Sequence, residues 1–209
     1  MPEGIQRALA IVAFLIVLPV LGVLAVLVRI DSPGGAFYVS ERVGAGARPF
    51  RLFKLRTMVA DARATGPGIS IRHDRRITRL GRFLRRVRLD ELPQLWNVIM
   101  GDMLLVGPRP EDPRYVDLND PLHRQVFVAK PGITGLTQLA YSTEADLLDL
   151  ADPEGHYRTT ILPAKLALDA RYLARRSARL DAWILLQTIA TAAGRPPTAA
   201  AIAARIGDR

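Results

Sequence analysis

The chain has 209 residues, a length that suits one domain with a sizeable core or a compact domain with a membrane anchor. It carries 29 lysine and arginine residues against 20 aspartate and glutamate residues, so its formal net charge is +9. This charge favours an anionic partner, which includes nucleic acid, phospholipid head groups and phosphorylated small molecules. The absence of cysteine excludes disulfides, thiolate metal sites and a cysteine nucleophile.

The N-terminal part is dominated by an apolar run from Ala8 to Val28 that contains no charged or polar side chain. About 20 apolar residues suffice for a helix to cross a bilayer. A cleaved secretory signal would have a shorter apolar core and a small-residue cleavage site, and neither is found here. Pro19 kinks a helix at the middle of the run, and basic residues, which tend to stay cytoplasmic, flank both ends. A re-entrant helix satisfies both features, and a kinked spanning helix is an equal alternative from the residue pattern alone.

The segment after the apolar run predicts a β-hairpin. Two short strands, Phe37 to Val43 and Phe50 to Leu55, flank the turn residues Gly44-Ala45-Gly46. Residues 61 to 76 are polar, contain Gly66-Pro67-Gly68 and are typical of a loop.

The remaining periodic segments predict helices. Apolar residues recur at helical spacing from Ile77 to Val87, and arginines occupy the other face. Asp90 is the predicted N-cap of a second helix that ends at Gly101. Residues 161 to 176 and 179 to 193 predict two further helices.

Adjacent carboxylates at Asp90 and Glu91 are the main candidates for chemistry. Such a pair often only caps a helix and offsets its dipole. The functional alternative needs an anionic substrate that a metal and neighbouring arginines hold beside the two acids. The histidines show no metal-ligand spacing, so a bound metal should be a hard cation such as magnesium.

Basic side chains and two rigid turns could bind phosphates or a nucleotide. Arginine is well suited to phosphate, although a basic face can equally be solvated or contact anionic lipid. The candidate basic residues are Arg51, Lys54, Arg56, Arg88 and Arg109. The turns Gly107 to Pro110 and Pro131 to Gly135 could hold a nucleotide by their backbone groups, or serve only as loops. No Walker A or Gly-x-Gly-x-x-Gly sequence occurs, so a kinase or Rossmann interpretation has no support.

Eight short motifs follow one another along the chain. They are Asp31–Gly34 (DSPG), Glu41–Gly44 (ERVG), Phe53–Met58 (FKLRTM), Arg76–Arg85 (RITRLGRFLR), Leu89–Val98 (LDELPQLWNV), Gly101–Met103 (GDM), Val106–Pro110 (VGPRP) and Lys130–Gly135 (KPGITG). Taken together, they resemble the bacterial sugar transferase family, the monotopic phosphoglycosyl transferases that start polysaccharide and glycan assembly on undecaprenyl phosphate. The resemblance covers roughly residues 8 to 190, and the ordered set is far more specific than any one motif.

The resemblance implies an α+β fold, in which a helix-rich cytoplasmic domain with a small β-hairpin follows an N-terminal re-entrant membrane helix. With one apolar run, the chain resembles the minimal single-anchor form of the family. We therefore predict a membrane helix over residues 1–30, a catalytic domain over 31–194 and an Ala/Pro-rich tail without an assigned role over 195–209.

The same resemblance implies the reaction and its partners. A sugar 1-phosphate would pass from a UDP-sugar to undecaprenyl phosphate, or a similar polyprenyl phosphate, with release of UMP. The expected location is the cytoplasmic face of the bacterial inner membrane, in contact with phospholipid and without nucleic acid. The sequence specifies neither the sugar nor the oligomeric state.

Family resemblance also assigns roles to individual residues. Asp90 matches the family nucleophile, which forms a covalent aspartyl-phosphosugar intermediate, and Glu91 matches the acid that helps to hold Mg²⁺. We expect Asp90 to be ionised, because a helix N-terminus, Mg²⁺ and arginines favour the charged form. The predicted substrate-binding residues are Lys54, Arg56, Arg88, Pro108, Arg109, Pro110 and Thr134.

Two segments depart from the family pattern. The membrane helix often breaks at Ser-Pro in the family, whereas this chain has Leu18-Pro19. Many members have Trp-Ala-Gln after Pro-Gly-Ile-Thr-Gly, whereas this chain has Leu136-Thr137-Gln138.

A different kind of protein, a non-catalytic basic membrane adaptor that binds anionic lipid or nucleic acid, would also explain the charge and the apolar run. It would not explain why two acids lie among phosphate-binding motifs.

Overall fold

The computed structural model describes residues 1–62, 68–149 and 151–207. The protein is helix-rich and contains two small two-stranded sheets in these residues. The helices are α1 (Glu3–Asp31), α2 (Arg79–Arg86), α3 (Gln94–Met100), α4 (Pro121–Phe127), α5 (Leu136–Ala140), α6 (Glu144–Leu147), α7 (Pro153–His156), α8 (Leu162–Ala174), α9 (Ala178–Ala192) and α10 (Ala199–Ile206). The strands are β1 (Phe37–Val43), β2 (Pro49–Leu55), β3 (Leu104–Val106) and β4 (Gly132–Thr134).

Helix α1 is long and apolar enough to cross a membrane by length and composition. It is one continuous α-helix that includes Pro19, so the break that is common in the family at this position is not seen. One face packs on the rest of the protein through Ala10, Leu21 and Val28. The opposite face exposes a long series of large apolar side chains to solvent. The re-entrant topology therefore stays a prediction, and it cannot rest on a helix break.

Both ends of α1 are attached to the domain that follows. Near its start, Glu3 forms an ion pair with Lys130 at 2.7 Å, and Gln6 Oε1 accepts a hydrogen bond from the Val106 amide at 3.1 Å. At its end, Arg56 donates to the carbonyl oxygen of Ser32 at 2.6 Å. The helix consequently lies along the domain rather than projecting from it.

The hairpin is confirmed. Strands β1 and β2 pair antiparallel, with Phe37 opposite Leu55 and Val43 opposite Pro49. Gly46 lies in the connecting turn at φ 63°, a conformation that glycine adopts without steric cost. The hairpin packs against α3, which brings β2 beside the acidic turn described below.

The predicted second helix begins later than expected. Asp90 is not its N-cap: Leu89–Glu91 form a separate 3₁₀ turn, and α3 starts at Gln94 after Pro93. The reason is the left-handed conformation of Arg88, at φ 57°, which ends the path of α2 and starts a new turn. Asp90 is thereby directed into the protein interior instead of capping α3.

Strands β3 and β4 form a parallel pair that the sequence did not predict, with Leu104 opposite Gly132. The two backbones almost touch, because a Cβ atom on Gly132 would lie 2.0 Å from the Gly107 nitrogen. This contact joins the two Pro/Gly-rich turns into one unit, with the Gly132 amide donating to the carbonyl oxygen of Pro108 at 2.8 Å.

The C-terminal half supplies most of the core. Helices α8 and α9 confirm the two helices predicted for residues 161–176 and 179–193. Within the tail, α10 buries Ile202 and Ile206 against the cluster that contains Leu136 and Ile184. The predicted loop at 61–76 lies partly outside the described residues, because residues 63–67 are not described, and the tail is described to Gly207.

Candidate functional site

Asp90 and Glu91 lie in the 3₁₀ turn between α2 and α3, at the edge of the hairpin. The Asp90 side chain is buried, with 7% of the residue exposed, and Glu91 is half-buried. Two adjacent carboxylates away from bulk water need nearby positive charge to stay ionised. The surrounding residues supply it from three different parts of the chain.

Lys54 and Arg88 hold Glu91. The Lys54 ammonium, on β2, lies 3.0 Å from Glu91 Oε1, and Arg88 Nη1 lies 3.8 Å from Glu91 Oε2. Arg88 also donates through Nη2 to the carbonyl oxygen of Gln138 at 2.9 Å. The left-handed conformation of Arg88 thus places its guanidinium between the acidic turn and the segment after β4.

The two acids have opposite electrostatic tendencies. Burial raises the pKa of Asp90, and the opposing charges of Lys54 and Arg85 do not cancel that effect. Burial also acts to raise the pKa of Glu91, but the positive charges of Lys54, Arg88 and Arg109 hold it below its ordinary value. Glu91 is therefore stabilised as the carboxylate, whereas the charged form of Asp90 depends on its positive neighbours, against our expectation that its surroundings would favour ionisation.

Arg85 is a half-buried cation whose charge acts on Asp90. Its Nε donates to Thr57 Oγ1 at 2.8 Å and its Nη1 donates to Ser70 Oγ at 2.7 Å. Burial lowers the pKa of Arg85, and the charge of Asp90 acts against that effect. Its hydrogen-bond partners are neutral hydroxyls, so the positive charge of Arg85 is balanced by nearby acids such as Asp90.

Two acidic residues, Asp169 and Glu111, contact Arg109. Its backbone amide donates to Asp169 Oδ2 at 3.2 Å, and its Nε lies 3.9 Å from Glu111 Oε1. Although burial acts to lower it, the carboxylates of Glu144 and Glu111 raise the pKa of Arg109 above the ordinary value. Arg109 consequently carries a fixed positive charge beside Glu91.

A buried charge network supports Glu111. Lys165, 2% exposed, lies 3.4 Å from Glu111 Oε1 and 2.9 Å from Glu144 Oε2, and Tyr157 donates its hydroxyl to Glu111 Oε2 at 2.9 Å. Despite burial, the charges of Lys165 and Arg109 hold the pKa of Glu111 below its ordinary value. Burial raises the pKa of Asp169, on α8, to about 7. The network fixes the turn that carries Arg109 to α8.

A small polar pocket of about 20 Å³ lies beside Glu91 and Arg109, and Asp90 and Arg88 do not line it. Lys54, Arg109 and Pro110, which we predicted to bind substrate, line it together with Glu91, which we predicted to help hold Mg²⁺. Other residues lining the pocket that the sequence analysis did not propose as ligand-binding include Arg42, Gln94 and Gln138.

Two of these unexpected residues have free hydrogen-bonding capacity. Among the described residues, Arg42 Nε and Gln138 Oε1 are buried and have no hydrogen-bond partner. Unpaired buried polar atoms are costly, so atoms like these at a pocket are suited to a ligand. Both residues could have been proposed as ligand-binding from the sequence, because Arg42 lies in the ERVG motif and Gln138 directly follows the altered Leu136-Thr137 segment.

Other predicted substrate-binding residues lie elsewhere. Arg56 is buried, and its guanidinium donates to the carbonyl oxygens at the end of α1, including those of Ser32 and Pro33. The Thr134 hydroxyl pairs with that of Thr188 at 2.6 Å, on the side of α9. Pro108 is buried in the backbone contact with β4. In this structure, the three residues hold elements together and do not line the pocket.

The donor set at this site suits a metal that takes few protein ligands. No group of three or more histidine, aspartate or glutamate side chains that could hold a metal occurs in residues 1–62, 68–149 and 151–207. Magnesium usually takes one or two carboxylates and completes its shell with water and substrate phosphates. Asp90 and Glu91 fit that pattern, although a metal on Glu91 would have to compete with Lys54.

Comparison with known proteins places this geometry in a family. A model described as "Bacterial sugar transferase" matches residues 3–195. The UDP-N-acetylgalactosamine-undecaprenyl-phosphate N-acetylgalactosaminephosphotransferase of Aeromonas hydrophila is 37% identical over 90% of this chain and 43% of its own length. The UDP-glucose:undecaprenyl-phosphate glucose-1-phosphate transferase of Caulobacter vibrioides is 37% identical over 82% of this chain and 61% of its own length.

A third relative matches over most of its length. It is the exopolysaccharide production protein PSS of Rhizobium leguminosarum bv. phaseoli, which is 33% identical over 85% of this chain and 87% of its own length. By contrast, the chain spans less than two thirds of the Aeromonas and Caulobacter proteins. The match over residues 3–195 includes the acidic turn, the hairpin and both Pro/Gly-rich turns, and the chain belongs to the bacterial sugar transferase family.

Proposed function

We propose that the protein transfers a sugar 1-phosphate from a UDP-sugar to undecaprenyl phosphate or a similar polyprenyl phosphate, with release of UMP. The observation that carries this proposal is the buried Asp90 beside Glu91, whose carboxylate is kept ionised by Lys54, Arg88 and Arg109. The names of the Aeromonas and Caulobacter relatives support both the nucleotide-sugar donor and the lipid acceptor. Such a reaction would be the first membrane step in assembling a polysaccharide or glycoconjugate.

In the first half of the reaction, an Asp90 carboxylate oxygen attacks the phosphorus that bears the sugar. A new P–O bond to Asp90 forms, the bond to the UMP oxygen breaks, and UMP leaves with the electron pair. In the second half, a phosphate oxygen of the acceptor attacks the same phosphorus and releases the Asp90 carboxylate. Covalent catalysis divides one displacement between two bulky partners into two easier steps.

The cations of the site offset the charge that opposes the first step. A carboxylate nucleophile and a diphosphate repel one another, and preorganised positive groups reduce that repulsion without moving. Lys54 and Arg85 favour the ionised form of Asp90, and Arg109 faces the pocket with its charge fixed by Glu111. Arginine can bind phosphate oxygens in bidentate fashion, so Arg109 is suited to the leaving UMP.

Glu91, with Asp90, would hold Mg²⁺ together with the donor's phosphate oxygens. When bound, the metal would neutralise charge that develops on the diphosphate. The protein's own contribution is to keep Glu91 ionised through Lys54, Arg88 and Arg109, which makes it an available ligand.

Helix α1 would place the site at the surface of the inner membrane, on the cytoplasmic side. Its outer face exposes large apolar side chains, among them Leu15 at 63% and Ile16 at 71% exposure. Because both of its ends are attached to the domain, α1 can lie in phospholipid without carrying either end across. The acceptor's phosphate and the soluble donor would meet beside it.

A basic membrane adaptor without catalytic activity has no support from the relatives' names. An adaptor would also gain nothing from burying Asp90, since burying a carboxyl group costs free energy.

The proposal is tested by mass spectrometry of the intact protein after incubation with a UDP-sugar and Mg²⁺ but no acceptor. A phosphosugar adduct on the peptide that contains Asp90 is expected, and it should disappear when polyprenyl phosphate is added. Asp90→Asn keeps the shape of the side chain, so it should fold normally, form no adduct and turn over at near-background rate. If Asp90→Asn retained a substantial fraction of wild-type turnover, Asp90 would not be the nucleophile.

A further inference from the structure

An open apolar groove of about 560 Å³ runs between α1, the hairpin and α3. Every side chain along it is apolar. Three residues of its wall, Leu18, Phe37 and Trp96, are between 44% and 52% exposed, so large apolar surface remains in contact with the surroundings. Exposed apolar surface of this size usually marks a binding site for a partner or a lipid.

The groove shares a wall with the polar pocket. Side chains alternate across a β-strand, and on β2 Phe53 lines the groove whereas Lys54 lines the pocket. The same change occurs at the start of α3, where Pro93 lines the groove and Gln94 lines the pocket. Lys54 is paired with Glu91, so the residues of β2 that line the groove and the pocket are sequence neighbours of the group that contacts the acidic turn.

We infer that this groove holds the isoprene units of the acceptor that are nearest to its phosphate. The inference rests on the proposed function, because the acceptor of that reaction must present its phosphate to Asp90 and bury its chain at the same time. A polar pocket and an apolar groove on either side of one wall match those two parts of a single molecule. The α1 side of the groove continues into the exposed apolar face of α1, which gives the rest of the chain a path into the lipid.

Gly22 gives access to the groove for a test. It lies on α1 in the groove wall, and a Cβ atom added there would meet no atom within 4 Å. A leucine at this position would project into the groove without displacing protein atoms. Gly4, on the same helix but outside the groove, also has free space around its Cβ position and provides a matched control. Since leucine favours helix more than glycine does, both variants should keep α1 intact.

The binding test uses a polyprenyl phosphate that carries a photoreactive diazirine in its second isoprene unit. With wild-type protein in phospholipid nanodiscs, we expect crosslinks on the peptides that contain residues 14–25 of α1 and Trp96. Excess unlabelled polyprenyl phosphate should remove these crosslinks, whereas excess phosphatidylglycerol should not. Gly22→Leu should lower their yield at least fivefold relative to Gly4→Leu.

The kinetic test uses the same variants. Gly22→Leu should raise KM for the acceptor about tenfold, equivalent to about 1.4 kcal/mol of binding free energy. Formation of the phosphosugar adduct from donor alone should be unchanged, because that step needs no lipid. Gly4→Leu should match wild type in both measurements.

Several results would overturn the inference. Crosslinks confined to exposed α1 residues such as Ile16, equal competition by phosphatidylglycerol, or a Gly22→Leu acceptor KM within twofold of wild type would each do so. Failure of the proposed function is a separate result, since wild type would then bind the probe in the groove but release no UMP.

Discussion

Replacing Lys165 with methionine tests whether the buried network behind Arg109 supports both the fold and the site. The Lys165 ammonium lies between Glu111 and Glu144 and is shielded from water, because the residue is 2% exposed. Methionine keeps most of the side-chain volume and removes the charge. Glu111, itself 5% exposed, would keep the Tyr157 hydroxyl at 2.9 Å and the more distant charges of Arg109 and Arg42.

The expected loss of unfolding free energy is large, because the buried Glu111 carboxylate loses its closest opposite charge. Removing one partner of a buried ion pair typically costs about 3–5 kcal/mol. For a protein of this size, each kcal/mol lowers Tm by about 2–4 °C, so Lys165→Met should lower Tm by roughly 6–20 °C at pH 7. Lys130, which pairs with the exposed Glu3, is the matched control, and Lys130→Met should cost about 1 kcal/mol or less.

The pH dependence distinguishes lost charge pairing from lost packing. In wild type, the lowered pKa of Glu111 contributes stability above its unfolded value of 4.5, and this contribution is lost as pH falls through the folded pKa. In Lys165→Met the pairing is gone, so the difference in unfolding free energy between wild type and variant should shrink as pH falls toward 4. Glu111→Gln combined with Lys165→Met should be less destabilised than Lys165→Met alone.

The measurement is thermal and denaturant unfolding of the protein in nanodiscs at pH 7 and at lower pH, together with UMP release. A stability difference below about 1 kcal/mol, or one that stays constant with pH, would refute the reasoning, because neither agrees with an uncompensated buried carboxylate. UMP release should fall even at temperatures where the variant is folded, since the network that fixes the turn carrying Arg109 to α8 loses the Lys165 charge.

Two other substitutions test the metal site and the backbone contact. Glu91→Gln should weaken Mg²⁺ dependence and turnover together, because a neutral amide is a poor magnesium ligand, and full wild-type activity in excess chelator would show that no metal takes part. Gly132→Ala should destabilise the protein by about 3 kcal/mol or more, since a Cβ atom would lie 2.0 Å from the Gly107 nitrogen and β3 and β4 would have to separate. Gly4→Ala, where a Cβ atom meets no atom within 4 Å, is its control, and denaturant unfolding that gave equal stability for the two variants would contradict the contact.

Local patterns in the sequence predicted the elements that depend on local interactions. Alternation and turn residues identified the hairpin to within a residue, and helical periodicity identified α8 and α9. The position of Asp90 depends on the left-handed conformation of Arg88. A non-glycine residue rarely adopts this conformation, and the sequence pattern does not indicate it. A helix cap was therefore the natural interpretation of the sequence and an incorrect one.

Contacts between segments that lie far apart in the chain could not be predicted from the sequence. The parallel pairing of β3 with β4 joins strands of three residues each, too short for a clear alternation signal. Arg56 belongs to a motif rich in basic residues, yet it satisfies carbonyl groups at the end of α1, since the carbonyls of a helix C-terminus have no partners within the helix. Only the arrangement of chain segments distinguishes this arginine from Lys54, two residues earlier, which faces the acids.

The topology of α1 can be predicted from its attachments rather than from its proline. A helix of 29 residues is roughly 43 Å long, enough to cross a bilayer. Both of its ends nevertheless contact the same domain, through Glu3 with Lys130 and through Ser32 with Arg56, so both should lie on the same side of the membrane.

Because the chain has no cysteine, single cysteines at Gly4 and Gly35 provide a clean labelling test of this topology. An added Cβ atom meets no neighbour at Gly4 and only ordinary contact, at 3.7 Å, at Gly35. Both variants should resist a membrane-impermeant maleimide in intact cells and react with it after permeabilisation, which also controls for thiol accessibility. Labelling of Gly4→Cys from outside, with Gly35→Cys protected, would mean that α1 crosses the membrane. The ion pair between Glu3 and Lys130 could not then exist in the cell, and the groove beside Gly22 would lie in a helix oriented differently from the one described here.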